Sequence, residues 1–234
     1  MRDYAPSSTD DAAPASPAAR AVIFDFDGTL VDSEPLHGRA LRSVFEPIGL
    51  EPFFDEAMCV GLPDADVMRA VFTRGGRTLG EAELAALLET KSAAARRLWE
   101  SGEGRAYPGA IELLREVKRR GTKVAVCTAA LRREAGPVLE RLGVAPILDA
   151  FVTADDVTAS KPNPACYRLA CERLGLPPSA CVAIEDSVAG VTSAATAGCR
   201  VVALGHTTAR ERLTRSSWFV DAISAVDAAW LVGT

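Results

Sequence analysis

Histidine is scarce: His37 and His206 are the only two, and none of the six cysteines stands in a C-x-x-C pair. Together these absences remove the usual ligand sets of a zinc site. No apolar run approaches the ~18 residues of a membrane-spanning helix, so no membrane partner is expected. The first residues carry Asp3, Asp10 and Asp11 and lack an apolar stretch, which argues against a secretory signal. There is no excess of positive charge either. A formal net charge of -5 argues against nucleic acid or an anionic surface as the main partner. A phosphate substrate stays open, because a local pocket of lysine and backbone N–H groups can outweigh a weak global field. No internal repeat is visible.

What is present is ordinary for a globular protein: 48% hydrophobic and 24% charged residues in a chain of 234. That length suits one large domain, or a core plus a small second one. Cys59, Cys127, Cys166, Cys171, Cys181 and Cys199 lie mostly among apolar neighbours. They read as buried free thiols in a reducing cytoplasm.

Residues 1–19 are mainly Ala, Pro, Ser and Asp, and read as a disordered tail. Residues 21–26 form a short apolar run ending in Asp25-Phe26-Asp27-Gly28-Thr29, which reads as a buried strand entering a tight loop. From 33 to about 104 the pattern is helical. Leu36, Ala40, Val44 and Ile48 recur at helical spacing, and Leu84, Leu87, Leu88, Ala95 and Leu98 mark a longer amphipathic helix. Beyond Tyr107-Pro108-Gly109 helices and strands alternate. Strands are expected at 123–127, 150–153, 181–184, 200–204 and near 218–223. Helices are expected at 111–121, 132–142 (with Pro137 a break or an oddity), 163–174, 188–197 and at the end. Asn163-Pro164 reads as an N-cap followed by Pro at the first helical position. Such alternation implies an α/β fold, a doubly wound parallel sheet. The expected division is a core of 20–32 and 107–234 interrupted by an all-helical insert, 33–106.

In parallel sheets ligands gather where strands end at their carboxyl edge. Four features fall there. Asp25 and Asp27 stand two apart, so in extended geometry both face one site. Thr128, with Ala129 next, ends the strand at Cys127. Lys161 lies in Ser160-Lys161-Pro162-Asn163-Pro164. Glu185 and Asp186 end the strand through Ile184. Singly each has a plain alternative: a D-x-D capping a loop, a threonine or acidic N-cap, a solvated loop lysine. Together they bring four carboxylates to one edge. These would repel one another without a hard divalent cation such as Mg2+.

These residues carry a resemblance. Asp25-Phe26-Asp27-Gly28-Thr29-Leu30-Val31-Asp32-Ser33, Thr128, Lys161-Pro162 and Glu185-Asp186-Ser187 resemble, in type, order and placement, the four signature motifs of the haloacid dehalogenase superfamily. The likeness runs from about residue 20 to the C-terminus. The helical insert, and Glu185-Asp186-Ser187-Val188-Ala189-Gly190, resemble the subgroup of β-phosphoglucomutase and many sugar-phosphate phosphatases. The resemblance implies a Mg2+-dependent phosphatase acting on a small phosphorylated metabolite; a cytoplasmic monomer is expected. Asp25 would be the nucleophile, Asp27 the acid and base, and Thr128 and Lys161 the groups on the phosphoryl oxygens. Asp25, the Asp27 carbonyl, Asp186 and Glu185 (direct or through water) would hold the metal, and Ala129 would touch the substrate.

In the insert, Lys91 follows Leu84 by seven residues and Leu87 by four, on the apolar stripe. Such a lysine must take its head to water or to an anion. A lysine and a histidine at similar places in the subgroup imply substrate contact for Lys91 and for His37. The insert is expected to meet the core over the site, hinging near 31–33 and 106–108. Asp64 stands about where β-phosphoglucomutases place an arginine for a second phosphate. That departure favours a phosphatase over the alternative, a phosphosugar mutase.

Overall fold

A computed structural model describes Arg2, Asp3, residues 16–59 and residues 64–233. The chain forms two compact units, Met1–Asp32 with Ala106–Thr234, and Ser33–Arg105.

The first unit is a seven-stranded parallel sheet. Its strands are β1 (Arg2–Asp3), β2 (Ala21–Phe24), β5 (Lys123–Cys127), β6 (Ala150–Val152), β7 (Cys181–Glu185), β8 (Arg200–Leu204) and β9 (Trp218–Val220). The order is β1-β9-β8-β7-β2-β5-β6. Every residue of β2 and β7 is buried, as expected of apolar runs covered on both faces. The chain runs from β2 outward through β5 to β6, then returns to the other side of β2 at β7. The sheet therefore reverses beside β2, where such folds form their crevice. Register decides what gathers there. Phe24 lies level with Val126 on one side and Ile184 on the other. Residues 25, 127–128 and 185–186 thus emerge together at one edge.

Helices α4 (Ala110–Arg119), α5 (Arg132–Arg141), α6 (Ala165–Leu174), α7 (Val188–Ala197) and α8 (Ala228–Val232) complete this unit. One core layer joins Ile23, Ala125, Ala183 and Val201 of the sheet to Tyr167, Ala170, Val191 and Ala194 of α6 and α7. Cys127, Cys166, Cys171, Cys181 and Cys199 are buried and free; the Cys59 side chain lies outside the described residues.

The second unit holds α1 (Glu34–Phe45), α2 (Asp64–Arg74) and α3 (Glu81–Glu100), with three 3-10 turns between α1 and α2. Leu41, Val44, Phe45, Val67, Met68, Val71, Phe72 and Leu84 form its core. Of the residues whose spacing marked α1 and α3, Val44 and Leu84 lie in this core and Ile48, Leu87 and Leu88 pack partly buried against it, whereas Ala95 and Leu98 do not join it. Two short strands, β3 (Val31–Asp32) and β4 (Arg105–Ala106), pair where the chain crosses between units. Their two residues each were too few to read as strands.

Three local expectations change. The first 19 residues are not uniformly a tail: Arg2 and Asp3 pair with Trp218 and Phe219, and the Ala19 N–H donates to the Leu231 carbonyl at 2.9 Å. The edge of β9 and the end of α8 offer backbone partners that the local composition did not announce. Residues 4–15 lie outside the described residues. Pro137 does not break α5, which continues to Arg141. Pro164 is itself the N-cap of α6, and Asn163 Oδ1 accepts from the Ala165 N–H at 3.0 Å. Among the described residues, no helix is long and apolar enough to cross a membrane.

Candidate active site

The strand ends assemble around one ammonium group. Lys161 arrives on the loop before α6, and its side chain is 7% exposed. It donates to Asp25 Oδ1, to Glu185 Oε1 at 2.6 Å and to the Cys127 carbonyl at 3.0 Å. A solvated loop lysine would do none of this. Asp25, Glu185 and Asp186 are all buried, with one oxygen of each within 4.8 Å of the others.

Glu185 is held on every side. Its Oε1 also accepts from the Tyr167 hydroxyl at 2.7 Å. Its Oε2 accepts from the Asp186 N–H at 3.2 Å and the Ser187 hydroxyl at 3.2 Å. Ser187, not an acidic residue, caps α7, its Oγ accepting from the Gly190 N–H at 2.9 Å. Asp186 accepts from Thr29 Oγ1 at 3.1 Å and from Thr207 Oγ1 at 2.5 Å, one hydroxyl to each oxygen. Thr128 Oγ1 donates to Asp27 Oδ2 at 3.4 Å and accepts from the Ala130 N–H at 2.9 Å. Ala129 is exposed beside it.

Two glycines make room for these carboxylates. A Cβ on Gly190 would lie 1.9 Å from Glu185 Oε1, and one on Gly28 would lie 2.2 Å from Asp186 Oδ2. Gly28 also has φ +79°, the left-handed region that favours glycine.

Three buried carboxylates against one ammonium leave excess negative charge. Burial, and then the charge of Glu185, push the Asp25 carboxyl well above its ordinary range, with Lys161 opposing. Burial and Glu185 push Asp186 up to about 7. Burial alone would lower Lys161, but Asp25 and Glu185 outweigh it and hold the ammonium well above its ordinary range. Burial and Glu185 raise Tyr167, keeping its phenol a proton donor. Such an all-oxygen, electron-rich cluster fits a hard divalent cation, which would relieve the strain in charge.

The other expected site residues lie in the helical unit, and two of them meet. The Lys91 ammonium bonds to His37 Nδ1 and pairs with Asp64 at 2.7 Å. The Lys91 side chain is only 1% exposed. Its head therefore reaches an anion rather than water. Residues 60–63, the loop before Asp64, lie outside the described residues. Sequence reasoning missed Thr29, Tyr107, Tyr167, His206 and Thr207 around the core site. Thr29 lay inside the first motif and could have been read as a donor; the others reach the site only through folding.

Residues 19–198 match the family model for haloacid dehalogenase-like hydrolase. The chain belongs to that family and is a hydrolase. Protein CbbY of Rhodobacter capsulatus is 33% identical over 198 residues, covering 78% of this chain and 84% of its own. The phosphorylated carbohydrates phosphatase of Thermotoga maritima is 35% identical over 184 residues, covering 76% of this chain and 81% of its own. A crystal structure of CbbY from Rhodobacter sphaeroides in complex with xylulose-(1,5)bisphosphate superposes with a TM-score of 0.77 at 26% identity. It covers 88% of this chain and 95% of that one.

Proposed function

We propose that the protein is a Mg2+-dependent phosphatase that hydrolyses a small phosphate monoester of the sugar-phosphate class. The observation that carries this reading is Lys161 bonded at once to Asp25 and Glu185 beside Asp186. Phosphoryl transfer spreads negative charge over oxygens, so positioned cations and donors are its main catalytic resource.

Asp25, the Asp27 carbonyl and Asp186 would hold the magnesium. When bound, such an ion keeps Asp25 ionised and offsets charge on the phosphoryl oxygens. Both Glu185 oxygens already accept protein donors, which supports contact through water or a role in fixing Lys161. The Asp25 carboxylate attacks phosphorus in line, and the bond to the leaving oxygen breaks as Asp27 gives that oxygen its proton. Asp27, now ionised, takes a proton from water. The water oxygen attacks the aspartyl-phosphate, releasing Asp25 and inorganic phosphate. Lys161 and the Thr128 hydroxyl hold the phosphoryl oxygens, and Ala129 lies against the substrate.

We read Lys91 and His37 as substrate residues. Asp64, a carboxylate where a mutase would place an arginine for a second phosphate, pairs with Lys91 and supports hydrolysis over a mutase reaction. We also read the protein as a monomer; a reducing cytoplasm fits the five buried free thiols among the described residues.

The test is a panel of phosphate esters assayed for inorganic phosphate with magnesium, with calcium and with excess chelator. Activity should need magnesium, and calcium should substitute poorly because its longer bonds disturb in-line geometry. Full activity in chelator would overturn the metal assignment. Transfer between two positions of a sugar without phosphate release would establish the mutase.

A further inference from the structure

We infer that His206 and Tyr107 form a clamp that positions Asp27 for proton transfer, an inference that rests on the phosphatase reading. Asp27 sits on a loop rather than on a strand. Inside that loop Gly28 N–H bonds the Val31 carbonyl at 2.9 Å, and the Leu30 and Val31 N–H groups bond the Phe26 carbonyl at 2.9 and 3.0 Å. The carbonyls of Gly28 and Leu30 take donors from elsewhere in the core unit. His206, just after β8, donates from Nε2 to Gly28 O at 2.6 Å. The Tyr107 N–H, just after β4, donates to Leu30 O at 3.0 Å. The two rings then rest on each other, with centroids 4.3 Å apart and planes tilted by 48°. The loop is thus gripped at both ends by two residues that brace one another.

His206 Nδ1 is the second sign. It is buried and, among the described residues, has no hydrogen-bond partner. With Nε2 donating, Nδ1 carries a buried lone pair, which is unfavourable. A phenylalanine would fill the same space and keep the stack without that penalty. The imidazole supplies what a phenyl ring cannot, the N–H on Gly28 O. That carbonyl belongs to the residue following the acid.

The test compares kcat and KM for the wild type, His206→Phe and His206→Gln on p-nitrophenyl phosphate and on a hexose 6-phosphate. An aryl oxide departs largely unaided, whereas a sugar alkoxide needs a proton from Asp27. His206→Phe should lose about tenfold or more in kcat on the sugar ester, lose far less on the aryl ester and keep KM, with its melting temperature lowered only by the loss of the one bond to Gly28 O. His206→Gln should recover most of the lost rate, because its amide can still donate to Gly28 O. Tyr107→Leu, which removes the brace but not the donor, should show the same selective loss and serves if His206→Phe folds poorly. Equal losses on both esters, an unchanged sugar-ester rate in His206→Phe, or a glutamine variant no better than phenylalanine would each overturn the clamp. A wild type that releases phosphate from neither these two esters nor any other ester of the panel would instead sink the phosphatase reading, and this inference with it.

Discussion

Lys161→Met tests the charge balance of the site directly. Methionine matches the length of the lysine's apolar stem, with sulfur in place of one methylene, and lacks the ammonium. That group touches Asp25 Oδ1, Glu185 Oε1, the Cys127 carbonyl and, at 3.5 Å, the Tyr167 hydroxyl. Removing one partner of a buried ion pair typically costs about 3–5 kcal/mol. The lower end applies here, because Asp25, left without its cation, can take up a proton. We expect a loss of about 3 kcal/mol in unfolding free energy at pH 7 in chelator. The sign of the pH effect follows from linkage. Asp25 already has a folded pKa above its ordinary value, and losing the ammonium that opposes this raises it further. Its contribution is intact below an unfolded value of about 4 and is lost as pH rises through the folded value. The destabilisation should therefore shrink as pH falls toward 4. Magnesium at about 100 times its Kd should return roughly 2.7 kcal/mol. It should not restore turnover, which loses a positioned donor and falls about 10²- to 10³-fold. Urea unfolding with and without magnesium, at pH 7 and pH 5, reads the stability terms, and phosphate release reads kcat. A variant as stable as wild type in chelator at pH 7, or with kcat within about tenfold, would refute the reasoning.

Three further outcomes follow from the same geometry. Asp25→Asn should fold and retain no turnover, since the amide is nearly isosteric but a poor nucleophile; phosphate release by a clean preparation would remove Asp25 from that role. Lys91→Ala should lower kcat/KM by about tenfold, the worth of one charge-assisted contact. Unchanged kcat/KM with a lower melting temperature would confine Lys91 to holding Asp64 and His37. Asp156 accepts from Arg173 at 2.6 Å, Arg132 at 2.8 Å and the Thr153 N–H at 2.8 Å. Burial would raise its pKa, but these partners lower it. Its contribution is present above about pH 4 and lost as pH falls through the folded value. Asp156→Asn should thus cost about 1 kcal/mol at pH 7, a modest figure because both arginines are partly in water, and little at pH 2. A cost that does not shrink at pH 2 would count against it.

The parts of the site that were legible in the sequence are those fixed by strand ends. Asp25, Thr128, Glu185 and Asp186 follow apolar runs, and parallel pairing carries the residues that follow such runs to one edge, with the register setting which of them lie level. Lys161 was legible only through its motif, since nothing local announces that a loop lysine will be 7% exposed. Tyr167, His206, Thr207 and Tyr107 were not legible. Each reaches the site from outside the four motifs: His206 bonds Gly28 from 178 positions away, and Tyr167 bonds Glu185 from the neighbouring helix. Pattern reasoning has no handle on such approaches. Arg2 and Asp3 escaped for a related reason, because an edge strand of two residues owes its form to the neighbour that it pairs with.

The pairing of Val31–Asp32 with Arg105–Ala106 has a consequence for how such a protein can change over generations. Adjacent strands lie about 4.8 Å apart, so the excursion between them begins and ends at nearly one point. To the sheet, the whole helical unit is a detour with coincident ends, and its length is almost immaterial to the closure of the core. A different helical hairpin, or a much shorter loop, could be grafted between the same two residues without disturbing Asp25 or Lys161. The helical unit and the carboxylate cluster at the sheet edge are in that sense separately replaceable. One block could be exchanged while the residues at the sheet edge are inherited unchanged.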